Sequence, residues 1–96
     1  MEPLEFKRSA HSIYLGESLE QAKAYISWEV LEDNLININH TVVDKSLGGQ
    51  GIGTKLVHEA AKMAREENLK VEASCSFAKK VLGESDAYQD IIEDKH

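Results

Sequence analysis

The stretch "SLGGQGIGTKL", Ser46 to Leu56, places four of the chain's six glycines within six residues and passes straight into an amphipathic run. Beyond it, Ile52, Leu56, Ala60 and Met63, joined by Val57 and Ala64, recur at spacings of three and four, while His58, Glu59, Lys62, Arg65 and Glu66 fall elsewhere. That period predicts a helix over 51–67. Before it, "LININHTVV" from Leu35 to Val43 alternates and is rich in β-branched residues, which predicts a strand.

A strand that gives way to glycines and then to a helix start points unpaired amides outward. The first turn of a helix has donors with no intrahelical partner, and its dipole adds partial positive charge there. Phosphate suits such a cradle, and glycine lets the backbone close on an anion without side chains in the way. The bland reading is a flexible turn. Two nucleotide motifs fit poorly. A Walker loop ends Gly-Lys-Ser/Thr, whereas Gly53 is followed by Thr54 and then Lys55. A dinucleotide fingerprint begun at Gly49 or Gly51 meets Thr54 or Leu56 where a small residue is needed.

Outward from the loop, the N-terminal half reads as a meander. Leu4 and Phe6, then Ile13, Tyr14 and Leu15, mark two short strands parted by "RSAHS". From Ala22 to Val30, Ala24, Ile26, Trp28 and Val30 alternate with Lys23, Tyr25, Ser27 and Glu29, which predicts a strand with one buried face and Trp28 in the core. Asp33-Asn34 is the hairpin turn to the next strand. After the helix, Asn68 is a left-handed cap, and "LKVEASCSF" predicts a strand over 70–76. Strand, helix and strand make a βαβ unit, so the strands ending at Val43 and Ser76 should run parallel. "AKKVLGE" and "DAYQDIIED" predict two short closing helices.

The 96 residues amount to one domain spanning 1–96, with 42% apolar and 29% charged residues. Seventeen acidic against eleven basic side chains give a net charge of −6, with the basic residues scattered, which disfavours nucleic acid and anionic membranes as partners. No apolar run approaches the roughly 20 residues that cross a bilayer, and "MEPLEFK" lacks the features of a signal peptide. A lone cysteine, Cys75, agrees with a reducing compartment. The expectation is a cytoplasmic protein, a monomer or weak homodimer. The four histidines show no metal-ligand spacing, so no metal is expected.

Taken together, these segments resemble the GNAT superfamily of acetyltransferases, whose phosphate loop reads Arg/Gln-x-x-Gly-x-Gly/Ala between a strand and a helix. Here the pattern falls on Gly48, Gly49, Gln50, Gly51, Ile52 and Gly53, with Gly48 at the first position. The similarity extends to a family of very short GNAT-like proteins through "HTVV" from His40, "MAREENLKV", "CSFAKKVL" from Cys75 and "YQDII" from Tyr88, with Ser76 where the family has proline. The resemblance implies an α+β fold: a GNAT-like mixed sheet, an antiparallel meander followed by a parallel βαβ unit whose strands splay, without the early helices of larger relatives. The acceptor side would then be wide open.

The resemblance further implies acetyl-CoA as ligand, with its pyrophosphate on the amides of Gly49 to Thr54 and its pantetheine arm along Thr41 to Val43. Val42 and Val43 would line one wall of the opening, Ser74 and Cys75 the other, and Lys79 would approach the phosphates. Acetyl transfer needs a neutral amine, a polarised thioester carbonyl and a protonated leaving thiolate. A backbone amide near Val42 or Val43 is the candidate polarising donor. Cys75 is the candidate general acid, or a nucleophile, with direct transfer favoured; without a nearby base or helix N-terminus its thiol would stay protonated, and as a small buried strand residue it would be inert. His40 is the candidate base, or a structural histidine. Tyr88 could reach back toward the thioester or simply pack on the core. The acceptor is an amine, small or carried by a protein or peptide. The alternatives are a non-catalytic CoA-binding or protein-interaction module, and a nucleotide-binding module.

Overall fold

Alternating segments pair off in chain order into a single five-stranded sheet. The computed structural model describes residues 6–17, 20–47, 49, 51–84, 88 and 90–92. Strands β1 (Lys7–Arg8), β2 (Ser12–Leu15), β3 (Ala24–Glu32) and β4 (Leu35–Val43) form an antiparallel meander. A short 3-10 turn over Lys45–Leu47 and helix α1 (Ile52–Glu66) lead to β5 (Lys70–Ala73), which lies parallel to β4. Helix α2 (Ser76–Gly83) follows. The sheet order β1-β2-β3-β4-β5 matches the expected mixed architecture.

Helix α1 turns Ile52, Leu56, Val57, Ala60, Ala61, Met63 and Ala64 into the core. They meet Ile13, Ala24, Ile26 and Trp28 from the meander, Ile36 and Ile38 from β4, Val71 from β5, and Ala78, Val81 and Leu82 from α2. Three alanines on the inner face let the helix approach the strands closely. Each fully buried Ile, Leu or Val in this cluster contributes about 2 kcal/mol relative to exposure.

The end of α1 is set by Asn68, whose φ of 59° is left-handed. The Leu69 amide then reaches back to the Ala64 carbonyl at 2.7 Å and the Asn68 amide to that of Arg65 at 3.3 Å. This paired closure is a Schellman motif, and it releases half-buried Leu69 onto the core just before β5.

Five expectations are revised. Strand β3 runs 24–32, not 22–30, and β1 occupies Lys7–Arg8; Leu4 lies outside the described residues. Strand β5 stops at Ala73, because the Ser74 and Cys75 amides both turn onto the Ile38 carbonyl and α2 opens at Ser76. The alternation of β4 changes phase part-way. Ser27 pairs with His40 and Trp28 with Ile38, so Asn39 is an extra residue, a β-bulge. Finally, the described residues of "DAYQDIIED", Tyr88 and Asp90 to Ile92, form a tight turn and then a parallel bridge from Ile92 to Val71, an added sheet edge where a helix was expected.

Candidate functional site

The parallel pair is joined only over its first half. Leu35–Ile38 of β4 pairs with Lys70–Ala73, and the ladder ends where Ser74 and Cys75 donate to Ile38 at 3.1 and 3.2 Å. Strand β4 continues to Val43, paired on its β3 side. The two chains therefore diverge into a fork, with Asn39 to Val43 on one prong and Ser74 and Cys75 on the other.

Amide direction follows from register. The Asp44 amide donates to the Lys23 carbonyl across β3 at 2.7 Å. Successive strand amides point to opposite sides, so Val42 also faces β3, whereas Thr41 and Val43 direct their amides into the fork. The bulge at Asn39 decides which side chains accompany them. Thr41 and Val43 pair with Ile26 and Ala24 and share their helix-facing side; His40 and Val42 pair with Ser27 and Tyr25 on the opposite face.

Cys75 stands at the N-cap of α2, φ −74° and ψ 119°, and its carbonyl accepts the Lys79 amide at 3.0 Å. The expectation of a thiol without a helix N-terminus is thereby corrected. Its sulfur, half-buried with its residue, donates toward Thr41 Oγ1 at 3.6 Å. Burial pushes the thiol up, but the amides of Ala78 and Phe77 in the first turn of α2, with the hydroxyl and amide of Thr41, outweigh it and hold the thiol below its ordinary value. The sulfur completes no cap hydrogen bond, so these amides act as nearby dipoles.

The glycine loop opens on the same end of the fork. Gly49 and Gly51 have φ of 82° and 69°, left-handed values that other L-residues rarely adopt. Gly51 caps α1 without a side-chain bond, and Lys55, donating to the Gly51 carbonyl at 3.0 Å, is the first residue of the helical ladder. The amides of Ile52, Gly53 and Thr54 precede that ladder. Gly53 is hemmed in: a Cβ there would meet the Phe77 ring at 3.0 Å and Val43 Cγ2 at 3.5 Å. Helix starts α1 and α2 are thus joined by an aromatic ring beside the fork. Gly48 and Gln50 lie outside the described residues.

The fork gathers Thr41, Val43, Ser74 and Cys75, with Gly53 beside Val43. It separates Val42 and His40, which sit on the other face, both exposed. Ile52 is buried, leaving only its amide for a ligand, and Thr54 is half-buried. Lys79 is exposed on α2. Tyr88 lies elsewhere: its hydroxyl meets His58 Nδ1, and Arg65 stands over its ring at 6.0 Å while pairing with Asp90 at 2.7 Å. Burial pushes the Tyr88 phenol up, partly countered by Arg65.

Two features escaped the sequence reading. Asn37 Nδ2 donates to Ser74 Oγ at 3.0 Å and to Glu29 Oε1 at 3.2 Å, tying three strands together at the base of the fork. Phe77 covers Gly53 although it is 41% exposed. The polar Asn37 among isoleucines was the only signal for the first; nothing local marked the second. Among the described residues, no three His, Cys, Asp or Glu side chains gather to hold a metal ion, and no helix is long and apolar enough to cross a membrane.

A sheet that forks beside a glycine-opened helix is the mixed architecture that the resemblance implied. Residues 12–91 match the family model described as GCN5-related N-acetyl-transferase. The chain belongs to the GCN5-related N-acetyltransferase family. It is similar to a GCN5-like protein from Staphylococcus aureus solved in solution by NMR, at 44% identity over 100% of this chain and 94% of that one, with a TM-score of 0.80. Rv2747 from Mycobacterium tuberculosis, in complex with CoA and NLQ, shares the fold at 20% identity and TM-score 0.59, covering 76% of this chain and 47% of that one. An aminoglycoside acetyltransferase from an uncultured soil metagenomic sample, in complex with sisomicin, does so at 19% identity and TM-score 0.54, over 92% of this chain and 63% of that one. No curated protein matches the chain significantly.

Proposed function

We propose that the protein binds acetyl-CoA and moves its acetyl group to an amine by direct transfer, as one domain spanning the chain. The observation that carries this reading is the fork itself, with the Val43 amide directed into it and the Cys75 thiol facing it. The pyrophosphate would rest on the amides of Gly49 to Thr54, with Gly48, Gln50 and Lys79 beside it. The pantetheine arm would lie along Thr41 to Val43, in the ladder positions that β5 has left. A protein of the same fold in complex with CoA supports the choice of ligand.

The chemistry then divides among few groups. The neutral amine nitrogen attacks the thioester carbonyl carbon, a C–N bond forms, the C–S bond breaks, and the nitrogen sheds a proton. The Val43 amide, rather than that of Val42, stabilises the oxygen that becomes negative. Cys75 returns a proton to the departing CoA thiolate, its lowered affinity for that proton making it a usable acid. His40, exposed on the face from which an acceptor would approach, is the base. We place the protein in the cytoplasm, as a monomer or weak homodimer.

The test measures two things on the same preparation: calorimetric binding of CoA, and release of free CoA thiol from acetyl-CoA with a panel of amines. Binding with amine-dependent release is the expected result. Binding without release by any amine leaves a CoA-binding module, and stabilisation by ATP or NAD in preference to CoA overturns the reading altogether. Gly51→Val, which forces a branched side chain into a left-handed position, should abolish binding.

A further inference from the structure

Val30 shares the helix-facing side of β3 with Trp28 and pairs with buried Ile36, yet it is 54% exposed, because α1 ends at Glu66 before covering it. The turn between β1 and β2, the β3–β4 hairpin and the end of α1 enclose the space that remains, a pocket of about 400 Å³. Trp28, Val30 and Leu69 give it an apolar lining. Trp28 shows 7% of its surface and Leu69 is half-buried, so with Val30 they leave apolar surface open to a guest. Arg8, His11, Asp33 and Glu67 stand around it.

The charges around this pocket do not cancel. Arg8 is met by Glu66 at 3.1 Å, an ion pair that ties β1 to α1. Asp33 and Glu67, both exposed, hold no such pair among the described residues. The C-terminal end of α1, capped by Glu67, adds the partial negative charge of a helix end. A protonated His11 would offset only one of the two carboxylates, so the rim stays negative. The pocket also lies far from the glycine loop: α1 is 15 residues long, about 22 Å at helix rise, and the loop is at its other end.

An apolar hollow beneath uncancelled carboxylates calls for a guest with a hydrocarbon body and a positive head, and its volume is that of a small-molecule site. We propose that this pocket binds a small organic cation, an amine whose aromatic body rests on Trp28, Val30 and Leu69 and whose ammonium faces Asp33 and Glu67. A ring lying against the indole gains attraction beyond the area it covers. The guest is a ligand of the distal end and not the acceptor, and the inference stands whether or not the fork transfers acetyl groups.

Trp28 is the chain's one tryptophan, so its emission reports on this pocket. The test titrates the full chain, without acetyl-CoA, with three probes of similar size: phenethylamine, phenylethanol and phenylacetate. Phenethylamine should shift the emission saturably at about 1 mM. It should move the amides of Trp28, Val30 and Leu69 but not those of Gly53 and Cys75, and weaken as salt rises. Phenylethanol should bind about tenfold more weakly, and phenylacetate more weakly still. Asp33→Asn/Glu67→Gln, both at exposed positions, should lose about tenfold in affinity for phenethylamine while phenylethanol binds as before. Val30→Lys, which brings a cation into the hollow, should lose phenethylamine altogether. The proposal is overturned if no saturable change appears by about 10 mM, if the three probes bind alike, if the shifts map to the fork, or if the double variant holds phenethylamine as tightly as the natural chain.

Discussion

Across the fork, Cys75 Sγ lies 3.6 Å from Thr41 Oγ1, a contact between residues 34 positions apart that bridges the end of β4 to the start of α2. It is one of the contacts that hold the thiol below its ordinary value, alongside the first-turn amides of α2 and against the opposing effect of burial. The rate of alkylation by iodoacetamide should therefore rise with pH and level off at a lower pH than for free cysteine. The sign follows from linkage. A depressed thiol binds fewer protons than the unfolded chain between its folded and unfolded values, so thiolate forms earlier and stability gains with pH across that window. Thr41→Val removes the hydroxyl and should move the plateau upward; an unchanged profile would show that the contact does not act on the sulfur.

Gly53 and Phe77 should behave as a coupled pair. In Gly53→Ala the new Cβ meets the ring at 3.0 Å, and because Phe77 is 41% exposed the ring can give way. We expect a stability loss of about 1 kcal/mol, smaller in the Phe77→Ala background, with a non-zero coupling term in the double-mutant cycle by chemical denaturation. Additive effects would mean the ring moves at no cost.

The left-handed position at Asn68 sorts substitutions by backbone alone. Asn68→Gly should hold or raise the melting temperature, while Asn68→Ala should lose about 1 kcal/mol, a drop of about 4–8 °C for a chain of this size. Thermal denaturation of the two variants side by side is the measurement.

Tyr88 anchors the last sheet edge. It is 9% exposed, touches His58 and Arg65, and precedes the Ile91 carbonyl that accepts the Val71 amide at 2.7 Å. Tyr88→Ala should cost about 3 kcal/mol and speed hydrogen exchange at the Val71 amide, whereas Tyr88→Phe, keeping the ring, should cost about 1 kcal/mol. Protection at Val71 that survives the alanine variant would show that the edge holds without its anchor.

These relationships also mark how far the residues could be read unaided. The helical stripe from Ile52 to Ala64, the alternation around Trp28 and the left-handed Asn68 are local signals, each carried by a period or a single backbone preference, and each appears in the fold. The glycine loop was legible for the same reason. What was not legible depends on partners distant in the chain. The phase change at Asn39 exists only against β3, and without it His40 seemed to share a face with Ile38. Cys75 acquired a helix N-terminus because β5 ends early on the Ile38 carbonyl, a competition between a ladder and a turn that no short window contains. The bridge at Ile92 needed Val71, 21 positions away, to declare itself.

The additional residue in β4 acts as a parity switch along a single strand. Before it, isoleucines look toward the helices; after it, threonine and valine do, leaving the histidine to the opposite side. Trimming that one position would leave Ile38 opposite Trp28 and His40 opposite Ser27 in plain alternation, so imidazole and hydroxyl would keep their sides and the strand would lose only its local bend. Away from the bulge, length is counted in odds and evens, so there single insertions or deletions should be harsher than paired ones, a rule a designer grafting this prong onto another scaffold would have to respect.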